Sequence, residues 1–382
     1  MPVDAKRIKI IVTNPETSII IRTFNEERYL PDLLEGIKGQ RYQDFEVVNV
    51  DSGSYDRTTE IAQEYGARLL SINSQDFTFG YSLNVGIEAA LGQFMVIVSA
   101  HTKPVDEFWL GRLIEPLRQD GTAMTYGRQI GVESSKFGET RDLERTFGLE
   151  PQVLKPPRFF ANNANAAMHK RLWHEHPFDP DLTGQEDIEW AKFWMEQGYQ
   201  IVYEPTAAIY HIHQESWRQV RRRYYREALA TRNIGVWRRR EAVPLALREV
   251  GYLVSDLAHA LTQGQLLAVA REIVNFRINK GYGTVSGLLD GKAMATQGGR
   301  ESLFFDRRCA AVAIHGPNHA SLDEIDVPAV KPGDVLIRVA YAGVCSTDLG
   351  RLSGDRNFFG GNDPKYPLVP GQELSGWVVR IG

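Results

Sequence analysis

Short apolar runs alternate with amphipathic stretches through the first part of the chain. Residues 18–22 (Ser-Ile-Ile-Ile-Arg) are nearly continuous in apolar character, which predicts a strand buried on both faces. After the polar turn Thr23-Phe24-Asn25-Glu26, residues 27–38 place Leu30, Leu33, Leu34 and Ile37 at helical spacing. The alternation then repeats. Strands are expected over 45–50, 68–72 and 94–98, with helices over 56–65 and 82–91 and Gly92 as a helix C-cap. Strands separated by helices of this length predict a parallel, doubly wound α/β sheet.

Beyond residue 106 the periodicity weakens. Residues 106–153 read as mixed helix, edge strand and loop, and 154–160, with paired prolines, as loop. Residues 187–197 predict a helix, followed by two short strands over 200–203 and 207–211. Residues 216–240 and 245–276 predict helices with arginine-rich faces, and 281–299, rich in glycine and small residues, a linker. After it the pattern changes to β-type runs (309–314, 335–341, 375–379) divided by Pro and Gly turns. A division near residue 300 follows. The expected segments are 1–215, a helical extension with linker at 216–299, and 300–382.

Composition narrows the class without naming it. At 382 residues the chain is too long for one average domain. Its 43% hydrophobic and 24% charged content is that of a globular protein, and a net charge of -4 argues against nucleic acid as a partner. No apolar run approaches the roughly 18 residues of a membrane span, and MPVDAKRIKI contains no signal-type apolar core. Cys309 and Cys345 are too few for a disulfide framework and suit a reducing cytoplasm, the expected location. Charge is uneven, with nine arginines against one glutamate, Glu227, between Trp217 and Arg240. With Trp217, Tyr224, Tyr225 and Trp237 interleaved, that block admits three uses: an anion site, a peripheral contact at the inner face of a membrane, or a solvated helix face.

Candidate chemistry lies where the apolar runs stop. The run 96–98 ends in Ser99-Ala100-His101-Thr102-Lys103-Pro104, and such strand ends form the ligand-binding rim of open α/β sheets. Asp51 closes the second strand, where it either accepts bonds from a ligand or caps the next helix; Asp56 suits capping. Glu186 and Asp187 open a helix, which serves either dipole compensation or general-base chemistry. Asn163 and Asn165, in an amide-rich stretch, suit an acceptor-facing loop or a structural turn. Trp190 is either a platform under a sugar or core.

Five ordered segments carry a family resemblance. They are Ser18-Ile-Ile-Ile-Arg-Thr-Phe-Asn-Glu-Glu, Val50-Asp51-Ser52-Gly53-Ser54-Tyr55-Asp56-Arg57-Thr58, Phe79-Gly80 with Asn84-Val85-Gly86, Gly184-Gln185-Glu186-Asp187, and Pro205 through Tyr210-His211. Together they resemble family-2 glycosyltransferases of the GT-A fold, over about residues 15–290. The resemblance implies inverting transfer of a sugar from a nucleotide donor (UDP- or dTDP-linked) to a hydroxyl of a glycan or lipid-linked acceptor. Hexosyl- or rhamnosyltransfer in polysaccharide or glycolipid assembly is the expected setting, and self-association is compatible with it.

In that reading Asp187 is the catalytic base and Glu186 its neighbour or substitute. Thr23, Glu26, Asp51, Ser52, Asn84, Ser99 and His101 line the donor site, Arg222 and Arg223 approach the diphosphate, and Asn163, Asn165 and Trp190 face the acceptor. The family's metal-binding Asp-x-Asp reads Ser99-Ala100-His101 here. His101 with His211 would then hold Mn²⁺ or Mg²⁺, or His101 would meet the diphosphate directly, or close the turn; His213 is an alternative to His211. A metal-independent transferase and an inactive sugar-nucleotide-binding scaffold remain the rival readings.

Residues 309–382 carry a second resemblance. Gly343-Val344-Cys345-Ser346-Thr347-Asp348 and Pro370-Gly371-Gln372-Glu373-Leu-Ser-Gly376 resemble the N-terminal GroES-like β-barrel of zinc-dependent medium-chain alcohol dehydrogenases. Cys345 matches the zinc cysteine and Glu373 the nearby acid, but Gln372 stands at the zinc histidine. No G-x-G-x-x-G dinucleotide site follows, so an accessory or truncated barrel without dehydrogenase activity is expected.

Overall fold

The computed structural model describes residues 15–290, 308–326, 333–360, 362, 363 and 365–381. It divides into two compact units, Met1–Met294 and Ala295–Gly382. In the first, β1 (Thr17–Thr23), β2 (Phe45–Asp51), β3 (Arg68–Ser71) and β4 (Phe94–Ser99) pair in parallel, with α1 (Leu30–Lys38), α2 (Thr58–Glu64) and α3 (Phe79–Ala89) as crossovers. β5 (Thr102–Pro104), β6 (Thr122–Gly131), β7 (Gln152–Leu154), β8 (Asn165–His169) and β9 (Gln200–His211) complete one sheet. Its order is β3-β2-β1-β4-β8-β6-β9-β5, with β7 pairing β9.

The sheet is mixed rather than wholly parallel. β8 runs antiparallel to both β4 and β6, and β5 and β7 run antiparallel to β9. The chain winds outward from β1 through β2 to β3, then returns to β4 on the other side of β1. The loops after β1 and β4 therefore diverge, and a cleft opens at the strand ends between them.

Both faces of the parallel half are covered, which is why its strands read as continuous apolar runs. Ile20 and Ile97 point to one core with Leu83, Ile87 and Trp190. Ile19, Ile21, Val96 and Val98 point to the other, against Leu30, Leu33, Leu34 and Trp109 of α1 and α4 (Trp109–Ile114). Helix α5 (Phe137–Thr146) follows β6, α6 (Lys170–Glu175) follows β8 and α7 (Glu186–Glu196) precedes β9.

Several expectations are corrected by backbone chemistry. Thr78 caps α3, accepting from Tyr81 N at 3.0 Å, so that helix starts and ends earlier than its apolar spacing suggested. Gly92 is not its C-cap. A Cβ there would lie 2.7 Å from the Thr17 carbonyl carbon, so this glycine is where the chain crosses β1 closely. The two strands expected over 200–211 form one strand, whose register against β6 shifts between Gly127 and Gln129. Pro205, which has no N–H to donate, lies at that interruption.

Three long helices follow. Ser216 and Gln219 form a reciprocal cap at the start of α8 (Trp217–Asn233). α9 (Ala242–Thr262) and α10 (Leu266–Leu289) are separated at Gly264, whose φ of +69° ends the helix expected to run through it. Residues 281–289, expected as linker, are the last turns of α10. Their glycines permit packing on α8: a Cβ would lie 2.3 Å from Arg221 O at Gly283, and 2.3 Å from Tyr225 O at Gly287. Gly283→Val is expected to destabilise this unit by about 2–3 kcal/mol in urea unfolding, because backbone must move to admit the side chain. No helix among the described residues is long and apolar enough to cross a membrane.

α10 is tied to α5 and α9 by a buried charge cluster. Arg277, its side chain 2% exposed, reaches Asp142 (2.7 Å), Glu249 (2.9 Å) and Asp256 (2.6 Å). Lys280 adds a 2.6 Å contact to Asp142.

In the second unit, β10 (Arg308–Gly316) pairs antiparallel with β11 (His319–Asp326), and β12 (Val335–Ala342) with β13 (Leu374–Ile381). Helix α11 (Ser346–Ser353) follows β12. These two sheets do not close into a barrel among the described residues. Gln372 Nε2 lies 3.2 Å from Cys345 Sγ, so an amide contacts the thiol where the resemblance has a zinc histidine.

Candidate active site

The site is assembled where β1, β2 and β4 end. Thr23 pairs in register with Asp51, and Arg22 with Ser99. The loops after β1 and β2 are stitched together: Asn25, in the left-handed region at φ 58°, donates from its N–H to Ser54 Oγ (2.8 Å) and accepts from Tyr55 N (3.1 Å). Asp51, 3% exposed, accepts from Gly53 N, Ser54 N and Ser54 Oγ, with Thr23 Oγ1 at 3.1 Å. Both its carboxylate oxygens are thus engaged by its own loop and by Thr23 of β1. Asp56, expected as a cap, accepts from Thr58 N at 3.0 Å and from Glu27 N at 3.1 Å, while the N-cap position of α2 is Arg57. Ser52 is buried, with no hydrogen-bond partner for its hydroxyl.

The acidic pair opens α7. Gly184 (φ 151°) and Gln185 (φ 63°) turn the chain into the helix through conformations that disfavour ordinary side chains, a local strain typical of functional turns. Asp187 accepts from Asn163 N (2.9 Å) and from the Ile188 N–H (2.8 Å). Burial and then the neighbouring Glu186 push its carboxyl up to about 7, against the opposing pull of those N–H groups and of Arg22. Asn163 also donates from its side chain to Glu186 (3.3 Å). Its neighbour Ala164 accepts from Ser99 N (3.2 Å), so the β4 end and the acidic pair are linked through residues 163 and 164.

Arg22 was not singled out from the sequence. Burial disfavours its charge while Glu186 and Asp187 favour it, so it is the counter-charge of the acidic pair. Its guanidinium lies 4.7 Å from the Phe79 ring centroid, and Arg226 of α8 lies 5.3 Å from the same ring. The only signal in the sequence was a charged residue closing an otherwise apolar run.

A histidine cluster occupies the other side of the β4 end. One ring nitrogen from each of His101, His211 and His213 lies within 4.8 Å of the others. His101 Nδ1 meets Glu26 Oε1 at 3.0 Å, and its Nε2 meets Ser99 Oγ at 3.1 Å. His211 Nδ1 meets Gln129 Oε1, and His213 Nδ1 meets Glu139 Oε1, each at 2.6 Å. His211 Nε2 is buried without a partner. Burial, then mutual repulsion, depresses the basicity of His211 well below the usual range. Burial alone would raise Glu139, but His213 and then Arg223 outweigh it and hold that carboxyl down to about 2.

Other expected contacts resolve differently. Trp190 is fully buried, its Nε1 donating to His176 O, so it is core and not a sugar platform. Asn165 is equally buried; it donates to Ala207 O and accepts from Trp109 Nε1. Asn163, 4% exposed, bonds to both members of the acidic pair. Asn84 is used in holding Phe178 O, Phe178 N and Trp173 Nε1. Arg223 is committed to Glu215 and Glu139 (2.7 Å each), which makes it a buried counter-ion instead of a diphosphate ligand. Arg222 is half-buried on the same helix. Apolar periodicity and short motifs carry no information about these long-range partners.

Known proteins resemble this chain in both of its units. Residues 18–176 match the model of glycosyl transferase family 2, and residues 331–382 that of the alcohol dehydrogenase GroES-like domain. A dolichyl N-acetyl-alpha-D-glucosaminyl phosphate 3-beta-D-2,3-diacetamido-2,3-dideoxy-beta-D-glucuronosyltransferase of Methanococcus voltae is 35% identical over 207 residues, covering 50% of this chain and 64% of that protein. An O-antigen chain rhamnosyltransferase of Salmonella typhimurium is 24% identical over 219 residues, covering 54% of this chain and 70% of that protein. A mannosyltransferase of Pyrobaculum calidifontis, in complex with GDP-Man and Mn²⁺, superposes with a TM-score of 0.51 at 18% identity, over 73% of this chain and 88% of that one. The alcohol-dehydrogenase relatives of the second segment are covered over only 21% and 18% of their own length.

Proposed function

From a family-2 glycosyltransferase domain over residues 18–176 and a GT-A fold, we propose that this chain is an inverting glycosyltransferase. The observation that carries the proposal is Asp187. It is a carboxyl raised to about 7 by burial and Glu186, at a helix N-terminus, one bonded segment away from the β4 end.

In the reaction, the Asp187 carboxylate takes the proton of an acceptor hydroxyl as that oxygen attacks the anomeric carbon. The bond from this carbon to the diphosphate oxygen breaks, and the nucleoside diphosphate leaves with the electron pair. Attack opposite the leaving group inverts the anomeric centre. Arg22 opposes protonation of Asp187, and Asn163 aims Asp187 through a backbone N–H. Asp51 and Thr23 hold the loops that would receive base and ribose, with Glu26 and Ser99 beside them. The orphaned Nε2 of buried His211, next to His101, fits a divalent cation that accepts imidazole, which on the family pattern favours Mn²⁺ over Mg²⁺. When bound, such an ion would neutralise charge gathering on the leaving diphosphate.

A hexosyl or rhamnosyl donor linked to UDP or dTDP, and a glycan or lipid-linked acceptor at the cytoplasmic face of a membrane, complete the reading. The catalytic segment would end near residue 215, with 216–299 an extension and 300–382 an accessory unit. The extension itself includes all of α10.

A panel of UDP-, dTDP- and GDP-sugars, followed by nucleoside diphosphate release, tests the proposal, with product anomers read by NMR. Release with inversion is expected from at least one donor. Nucleotide binding with no turnover across the panel would overturn it in favour of a sugar-nucleotide-binding scaffold.

A further inference from the structure

The family pattern calls for a carboxylate-ligated Mn²⁺ or Mg²⁺, and the side chains at this position are of another kind. We propose that His101, His211 and His213 together form a three-imidazole site for one transition-metal ion of the Zn²⁺, Co²⁺ or Fe²⁺ type, bound through their three Nε2 atoms.

The hydrogen bonds assign the lone pairs. Each Nδ1 faces an acceptor that cannot donate: Glu26 Oε1 for His101, Gln129 Oε1 for His211 and Glu139 Oε1 for His213. Each Nδ1 therefore carries the hydrogen, and each Nε2 is left as the ligating nitrogen. Metal-bound histidines are oriented by this same device, an acceptor behind each ring. His211 is 6% exposed and its Nε2 has no hydrogen-bond partner, the kind of buried polar atom that calls for a ligand or a water. The Nε2 of His101 meets the Ser99 hydroxyl, which can rotate away.

One ring nitrogen from each histidine lies within 4.8 Å of the others. Three nitrogens around a tetrahedral ion at about 2.0–2.1 Å sit roughly 3.4 Å apart, so a small side-chain adjustment closes the site. Three imidazoles suit Zn²⁺, Co²⁺ or Fe²⁺, whereas Mg²⁺ requires oxygen. Three protein ligands also leave one position open, the arrangement of catalytic rather than structural zinc centres.

The adjoining group Glu139, His213 and Glu215 is not a second site, because Arg223 bonds to both carboxylates at 2.7 Å. Its part is to fix Glu139 behind His213. If the transferase reading holds, the open position faces a diphosphate oxygen; the metal site itself does not depend on that reading.

The test uses the full chain, stripped of metal, without any nucleotide sugar. Co²⁺ titration is expected to give the intense visible absorption of a four-coordinate ion at one equivalent, displaced by Zn²⁺ and not by millimolar Mg²⁺. Zn²⁺ affinity by competition should fall at least ~100-fold in each of His101→Ala, His211→Ala and His213→Ala, and ~10–100-fold in Glu139→Gln. Because the His101 side chain is 29% exposed, its variant keeps the fold even if the buried two do not.

His101→Asp should lower the ratio of Zn²⁺ to Mn²⁺ affinity at least tenfold. A weak, six-coordinate Co²⁺ spectrum overturns the site. So do Zn²⁺ binding unchanged in folded His101→Ala and an unmoved ratio in His101→Asp. Tight, histidine-dependent Zn²⁺ binding by a protein that transfers no sugar would instead retire the transferase proposal and leave the site standing.

Discussion

Asp187→Asn is expected to lower kcat by about 10²–10⁴-fold with little change in donor KM, since it removes the group that accepts a proton only as the new bond forms. The wild-type rate should rise with pH through about 7, where the Asp187 carboxyl ionises, and the variant should lose that limb. Stability should move the other way. The free carboxyl has a pKa of about 4, so the folded protein holds this proton more tightly between about pH 4 and 7. Wild-type stability therefore declines as pH rises across that window, and the penalty is complete above 7. Asparagine carries no such penalty, and the variant should be more stable at pH 8 by an amount on the order of a few kcal/mol. A variant that loses activity and stability together at pH 8 would show Asp187 to be a structural residue and not the base.

Arg277→Met is expected to cost about 3–5 kcal/mol in urea or thermal unfolding, the largest stability effect of any single substitution here. Asp142, Glu249 and Asp256 converge on one guanidinium whose side chain is 2% exposed, and Asp256 is itself fully buried. Methionine fills much of the volume but leaves three like charges facing each other, with Lys280 and the more peripheral Arg145 and Arg141 as their remaining cations. Restoring balance with Arg277→Met plus Asp256→Asn should recover part of the loss. If the single variant unfolds with wild-type midpoint, the cluster holds nothing together.

The sequence was legible where local rules decide. The apolar runs at 18–22, 45–50 and 94–98 became β1, β2 and β4 because both of their faces are covered. The acidic pair at 186 and 187 stood out because a helix start favours it. Gly281, Gly283 and Gly287 were misread, since small residues look alike in a linker and in a helix whose backbone is approached to van der Waals distance. Trp190 and Asn165 were left open between site and core for a related reason: polar groups with hydrogen-bond capacity are equally at home in a site and in a satisfied core. Glu26, Gln129 and Glu139 stand behind three histidines from a loop, a strand and a helix distant in sequence, and no spacing rule relates them.

The commitment of Arg223 has a practical consequence for where the first unit can be cut. This arginine lies in the second turn of α8, yet it neutralises Glu139 beneath His213, and Arg226 one turn later covers Phe79 above Arg22. A fragment cut at residue 215 would leave Glu139 and Glu215 without the guanidinium that bonds both. The smallest autonomous piece is therefore expected to run to about residue 290, just past the end of α10.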